Sequence, residues 1–180
     1  MKHFKTEAII LKRKNIGEAD KLLTVLSKKH GKMQIKAVGI RKLTSRRSPH
    51  VELFNLSELS LYRGRSIPVL TEVVSRKHFP EIKDDLTKVG FAYHICELID
   101  GLCAEGQENE YIYHLLVQTF MRLCGSEDIL TIIHEFEIEL LTSLGFYRHS
   151  EFTKMLNTAA FIEQILEKKL KTHRMLHKFS

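Results

Sequence analysis

From residue 32 the chain alternates: Lys32, Gln34 and Lys36 are polar, while Met33, Ile35 and Ala37 are apolar. That period places the apolar three on one face of a half-buried strand. Two short apolar runs precede it, over 6–11 and 21–26, parted by a turn signal at Asn15-Ile16-Gly17. Gly31 separates the second run from the third. After a basic stretch, 53–62 and 68–74 predict two more strands joined across Arg63-Gly64-Arg65. Pro68 falls at a strand start, where a missing donor is tolerated. Five short strands in such a span predict a small barrel, and five is the strand count of an OB-fold.

Beyond residue 79 the period changes. Pro80 with Glu81, Asp84 and Asp85 predicts a helix start, because proline fits a first turn and acids there favour the positive dipole end. Leu86, Val89, Tyr93, Cys96, Ile99 and Cys103 then recur at helical spacing. A second helix is expected over 110–124, with Ile112, Leu116, Phe120 and Leu123 inward and Gly125 as its stop. Ser126 is the expected cap of a third, whose Ile129, Ile133, Phe136, Leu140 and Leu144 form one stripe ending at Gly145. A fourth is expected over 158–178, with Phe161, Ile165 and Leu176 inward and Lys168, Lys169, Lys171, Arg174 and Lys178 outward. Links this short predict an antiparallel bundle. The fold class read from these patterns is α+β: an OB-fold barrel domain over 1–79, then a helical domain over 80–180.

Charge divides along the same line. Residues 1–80 carry 18 Lys and Arg against 6 Asp and Glu; residues 81–180 carry 10 against 16. A basic half concentrates polyanions, so nucleic-acid contact is expected there. With 43% hydrophobic and 28% charged residues in 180, the composition is that of a globular chain. No apolar run approaches a membrane span, and residues 1–7 lack the apolar stretch of a secretory signal. Cys96, Cys103 and Cys124 form no C-x-x-C pair, which argues against a disulfide framework or a four-thiolate zinc site. The expectation is a reduced, cytoplasmic protein.

Catalytic signatures are missing: there is no G-x-S-x-G, P-loop or G-x-G-x-x-G. Glu18 and Asp20 read as a solvated turn, and Glu135, Glu137 and Glu139 as an evenly exposed helix face. His173 and His177 have metal spacing, but Arg174 and Lys178 beside them repel a cation, so no metal or cofactor is expected. The other histidines, including His94, His114 and His134, read as surface residues at stripe edges. The basic residues carry more weight. The candidate nucleic-acid-binding set is Lys12, Arg13 and Lys14 at the end of the first strand, and Lys32 and Lys36 on the third. It continues with Arg41, Lys42, Arg46 and Arg47 in the following loop, and Arg63 and Arg65 around Gly64. Such cations give sequence-independent, salt-sensitive affinity for phosphates. Phe54 and Tyr62 are the available stacking platforms, and either could equally be core.

A family resemblance covers nearly the whole chain. Gly17-Glu18-Ala19-Asp20-Lys21-Leu22-Leu23-Thr24-Val25-Leu26, then His30-Gly31-Lys32 and Ala37-Val38-Gly39-Ile40-Arg41-Lys42, resemble the N-terminal domain of the bacterial recombination mediator RecO. So does the stretch from Phe54-Asn55-Leu56-Ser57-Glu58 to Arg63-Gly64-Arg65, followed by Leu70-Thr71-Glu72 and Phe79-Pro80. Phe136-Glu137-Ile138-Glu139-Leu140-Leu141 and Leu144-Gly145-Phe146 look like that family's third-helix signature, and Leu170-Lys171-Thr172-His173-Arg174-Met175-Leu176 is similar to its basic terminal helix.

The resemblance implies an OB-fold joined to a helical domain that binds single- and double-stranded DNA and anneals strands. It also implies loading of the recombinase RecA onto DNA covered by single-strand-binding protein, together with RecR. Two departures stand out. Many members carry a four-cysteine zinc module after the third-helix signature, whereas here 147–157 hold no cysteine, so a shortened member without zinc is expected. The family's basic pair before the third-helix Phe-Glu, associated with docking the acidic tail of single-strand-binding protein, is replaced by His134-Glu135. Two other classes stay open at this point: an adaptor in a repair complex working through its helical domain, and an RNA-binding OB protein.

Overall fold

The computed structural model describes residues 3–64, 66–147 and 157–172. Five strands come first: β1 His3–Ile16, β2 Asp20–Ser27, β3 Gly31–Ala37, β4 Leu56–Tyr62 and β5 Val69–Lys77. They close into a barrel in the order β1-β2-β3-β5-β4. Five α-helices follow among the described residues: α1 Pro80–Lys83, α2 Leu86–Leu102, α3 Glu110–Gly125, α4 Ile129–Ser143 and α5 Thr158–Leu166. The fold is α+β, an OB-type barrel followed by helices. Among the described residues no helix is long and apolar enough to cross a membrane.

The chain forms two compact units. The first contains the residues up to Phe79 together with Ala104–Tyr113; the second contains Pro80–Cys103 and the chain from His114 onward. Inside the barrel, Ile10, Leu23, Val25, Ile35, Leu59 and Leu61 make the centre of the packed core. The alternation expected for β3 holds, with Ile35 and Ala37 fully buried. β1 does not keep one alternation. Ile10 faces Val25 but Lys12 faces Thr24, leaving Leu11 as an extra, bulged residue. Before the bulge the even positions Ala8 and Ile10 point into the core; after it Arg13, opposite Leu23, takes that face. The strand runs on past the apolar run to Ile16, so Lys12, Arg13 and Lys14 lie within it and pair with β2. The barrel closes at a parallel pair, Lys36 with Val69, where the Lys36 N–H donates to the Pro68 carbonyl at 2.8 Å.

Residues 104–113 add to the barrel's sheet. Glu105 bridges in parallel to Lys32, and the Gly106 N–H donates to the Lys32 carbonyl at 2.8 Å. Tyr113 donates its hydroxyl to Glu7 at 2.6 Å, and Lys28 pairs with Glu110 at 3.3 Å. Burial and the Glu7 carboxylate together push the Tyr113 phenol up. Gly31 makes this approach possible. Its φ is +63°, and a Cβ there would sit 1.9 Å from the Gln107 carbonyl oxygen.

In the helical unit several expectations are corrected. Pro80 starts a single turn, and the long helix begins at Asp85, whose carboxylate accepts from the Thr87 and Lys88 N–H groups at 2.8 and 3.1 Å. Leu86, expected inward, is 73% exposed, and Tyr93 is exposed too. Gly90–Ala92, His94–Cys96, Leu98 and Ile99 are all buried, so α2 is enclosed around most of its girth and has no single stripe. Asp128 rather than Ser126 caps α4, accepting from the Thr131 N–H. The inward face of α3 is as expected, with Ile112, Leu116, Phe120 and Leu123 buried; on α4 Ile133, Phe136 and Leu140 are buried, while Ile129 and Leu144 at the ends of the expected stripe are only half-buried. At the end of α4, Gly145 at φ +79° donates to Thr142 and Phe146 donates to Leu141 at 2.9 Å, the paired bonds of a Schellman motif.

α5 stops at Leu166 instead of running to 178. Glu167 turns left-handed, at φ +51°. The next N–H groups are taken by carboxylates rather than by helix carbonyls. Leu170 donates to Glu163 at 3.0 Å, and Lys171 and Thr172 donate to Glu97 at 2.9 and 3.0 Å. Lys168, Lys169 and Lys171 are exposed on this non-helical segment. His173, Arg174, Leu176, His177 and Lys178 lie outside the described residues.

His94 and Glu137 overturn the surface reading given to both. They are 2% and 5% exposed, and His94 Nε2 donates to Glu137 Oε1 at 2.7 Å. Thr158, at the start of α5, donates its hydroxyl to the other Glu137 oxygen. Thr172 donates its hydroxyl to Glu97 at 2.7 Å, and its oxygen lies 2.9 Å from His94 Nδ1. One polar chain thus joins α2, α4, α5 and residue 172.

Candidate nucleic-acid interface

The basic residues gather most densely around the β1–β2 turn. In the hairpin register Arg13 faces Leu23 and Asn15 faces Lys21, while across β3 Lys21 faces Ala37. Leu23 and Ala37 are core residues, so Arg13 and Lys21 stand on the core-facing side where the packed layer runs out. Arg41 comes to the same place: its N–H donates to Ala19 at 2.9 Å and its guanidinium to Gly17 at 3.3 Å. The Lys21 ammonium is held below the ordinary lysine value by partial burial and by the charges of Arg13 and Arg41, with Glu52 acting the other way. Like charges pressed together in this way favour an arriving anion.

Asp20 organises the rest of this end. Its carboxylate accepts from the Gly39 N–H at 2.8 Å and pairs with Lys36 at 3.1 Å. The Gly39 bond first, then Lys36, lowers its pKa, and Lys42 adds to the effect. Asp20 is therefore a fastener for the turn after β3 rather than the loosely solvated turn acid expected. Lys14 is exposed on the opposite face of β1, across from Leu22.

The loop after β3 is held by Arg47. Its guanidinium donates to Val38 at 2.7 Å, Leu70 at 2.9 Å and Thr71 at 3.4 Å, tying the loop to β5. This engagement with three backbone carbonyls is structural. Arg46 beside it is exposed. Short turns close the tip: Lys42 N–H to Gly39 at 3.2 Å, and Ser45 N–H to Lys42 at 2.9 Å.

The remaining candidates are spread elsewhere. Lys12 is exposed on the outer face of β1 opposite Thr24. Lys32 is only 7% exposed, so it leaves the exposed set. Arg63 lies over the Phe4 ring at 5.1 Å, and His30 meets that ring edge-on at 4.7 Å. Burial and the Arg63 charge lower the His30 pKa. Arg65 lies outside the described residues. Of the two stacking candidates, Phe54 is a core residue, buried at a left-handed φ of +70°. Tyr62 is half-buried and tilted against His3.

Two family models match the chain: "Recombination protein O N terminal" over residues 1–79 and "Recombination protein O C terminal" over 83–151. The chain belongs to the RecO family. Among curated relatives, the DNA repair protein RecO of Desulforamulus reducens is 39% identical over 146 residues, covering 81% of this chain and 56% of the relative. That of Pelotomaculum thermopropionicum is 34% identical over 146 residues, covering 81% and 57%. That of Roseiflexus is 36% identical over 143 residues, covering 79% and 50%. The chain thus spans about half the length of the curated RecO proteins it matches.

Within this RecO-family barrel, reading the sequence missed Lys21 because it opens an apolar run and looks like a strand-edge residue. The available signal was its place across a three-residue turn from Lys14 and Asn15. Its neighbours Arg13 and Arg41 are 8 and 20 positions away, a grouping that only the hairpin and the loop after β3 create.

Proposed function

We propose that the basic end of the barrel, built by Arg13, Lys14, Lys21, Lys36, Arg41, Lys42 and Arg46, binds nucleic-acid phosphates. On this reading the chain serves DNA repair and recombination as a non-enzymatic mediator. The observation that carries it is the crowding of Lys21, Arg13 and Arg41 beside an acid, Asp20, whose oxygens are already engaged. The relatives' name, DNA repair protein RecO, supports the setting. The region 1–79 then acts as the DNA-binding domain and 80–180 as the helical domain for partner contacts. Strand annealing, and help in loading RecA onto DNA covered by single-strand-binding protein with RecR, follow as the activities such a mediator performs in the nucleoid. At the position of the family's basic pair, Glu135 is bound to Arg122 at 2.6 Å, which neutralises charge where an acidic tail would dock.

Filter binding of matched DNA and RNA oligonucleotides at two salt concentrations tests this. The Arg13→Ala/Lys21→Ala/Arg41→Ala variant should bind DNA far more weakly. Its log–log salt slope should be shallower by about 2, since each phosphate no longer neutralised removes roughly 0.7–0.9 from the slope. Unchanged affinity in a folded variant refutes the site. Tighter binding to RNA than to DNA favours an RNA-binding protein, and no binding to either favours an adaptor.

A further inference from the structure

Leu43 is the most exposed large apolar side chain of those described, fully open to solvent at 106% relative exposure. It stands at the tip of the loop after β3, immediately beyond Arg41 and Lys42 and three residues before Arg46, all of them exposed. Exposed single leucines are common and need no explanation. This one differs in how it is held. The Arg47 guanidinium pins the loop to three backbone carbonyls, and the turn bonds from Lys42 to Gly39 and from Ser45 to Lys42 shape its tip. A leucine displayed on an anchored tip has already lost much of the freedom that binding would otherwise remove.

An apolar tip ringed by cations matches a ligand whose outside is anionic and whose interior is apolar. A nucleic-acid strand has that construction, phosphates outside and stacked bases within. Leucine is among the side chains that proteins insert between base steps, partly unstacking them. A bilayer surface is also anionic over apolar, but one leucine offers too little area to hold it without a larger apolar face. We propose that Leu43 is a wedge that enters between adjacent bases of a strand whose phosphates are held by Arg41, Lys42 and Arg46. This rests on the phosphate-binding reading above and gives the same site a second task, opening a base step.

The test uses the full chain and a single-stranded oligonucleotide containing 2-aminopurine, whose fluorescence rises when the base is unstacked. Wild-type protein should bind and raise the signal. Leu43→Ala should abolish the rise while weakening affinity only about five-fold, the share that partial burial of one leucine supplies. Leu43→Lys adds a cation at the same place; it should bind at least as tightly as wild type and still give no rise. Leu43→Phe should restore the rise. Binding by wild type without any rise, or a rise retained in Leu43→Ala and Leu43→Lys, overturns the wedge and leaves phosphate binding standing. No binding by wild type overturns both. Leu43-dependent sedimentation with anionic phospholipid vesicles, in place of the fluorescence change, also overturns the wedge.

Discussion

Replacing Glu137 by alanine should be among the most damaging single changes in the helical unit. The carboxylate is 5% exposed on α4 and accepts from His94 on α2 and from Thr158 at the start of α5. Alanine leaves an imidazole N–H and a hydroxyl enclosed without their acceptor. Each such group costs about 1–3 kcal/mol, and breaking a buried ionisable pair from one side costs about 3–5 kcal/mol in measured cases. With some of the cavity collapsing, a loss of about 3–5 kcal/mol is expected, which for a chain of this size lowers Tm by roughly 6–20 °C. Glu137→Gln keeps the shape and one acceptor oxygen, so it should lose about half as much. Removing both partners, His94→Leu with Glu137→Leu, should recover a good part of the loss, because well-packed apolar groups replace a buried pair with little penalty. Glu135→Ala, two residues away in an exposed pair with Arg122, should cost under about 1 kcal/mol. Urea denaturation followed by circular dichroism gives all four numbers. A loss below about 1 kcal/mol for Glu137→Ala, or strict additivity of the His94 and Glu137 changes, would refute this account of the network.

Two further outcomes follow from neighbouring features. Arg46→Ala should weaken DNA binding with Tm unchanged. Arg47→Ala should lower Tm by several degrees, because it frees the carbonyls of Val38, Leu70 and Thr71; equal effects of the two changes on both DNA affinity and Tm would contradict the division of roles. For Glu97, burial works to raise the pKa, but bonds from the Thr172 hydroxyl and the Lys171 and Thr172 N–H groups leave it below the ordinary 4.5. Its folded value being depressed, its stabilising contribution is present above pH 4.5 and is lost as pH falls through the lower folded value. The Tm difference between wild type and Glu97→Gln should therefore shrink as pH is taken from neutral to about 3, and a constant difference would disprove it.

Local pattern carried the architecture. The alternation in β3, the break at Gly31 and the helical stripes of α3 and α4 are readable because a strand or helix repeats its facing every two or 3.6 residues. A few family-like stretches, such as the one from Gly17 to Leu26, pointed to the RecO family, whose N-terminal model matches residues 1–79. Where local rules met, they were enough: Gly145 ends α4 as expected.

Other features depend on residues far apart in the chain. The bulge at Leu11 shifts the alternation of β1, which turns Lys12 and Lys14 outward and puts Arg13 on the same face as Lys21. No count along the sequence reveals a one-residue slip, because the slip is registered only against the partner strand. Arg47 looked like one more loop cation until Val38, Leu70 and Thr71 supplied its acceptors. His94 and Glu137 looked like surface residues because periodicity assigns a polar side chain to the outside. Burying them requires partners 21 to 78 positions away. The same long reach ended α5, since the carboxylate of Glu97 takes N–H groups near residue 172 that a longer helix would have used. The sequence by itself determined which segments are strands and helices and where positive charge is plentiful. The tertiary structure decided which cations face one another, which polar groups are enclosed and where α5 stops, because each depends on partners distant in the chain.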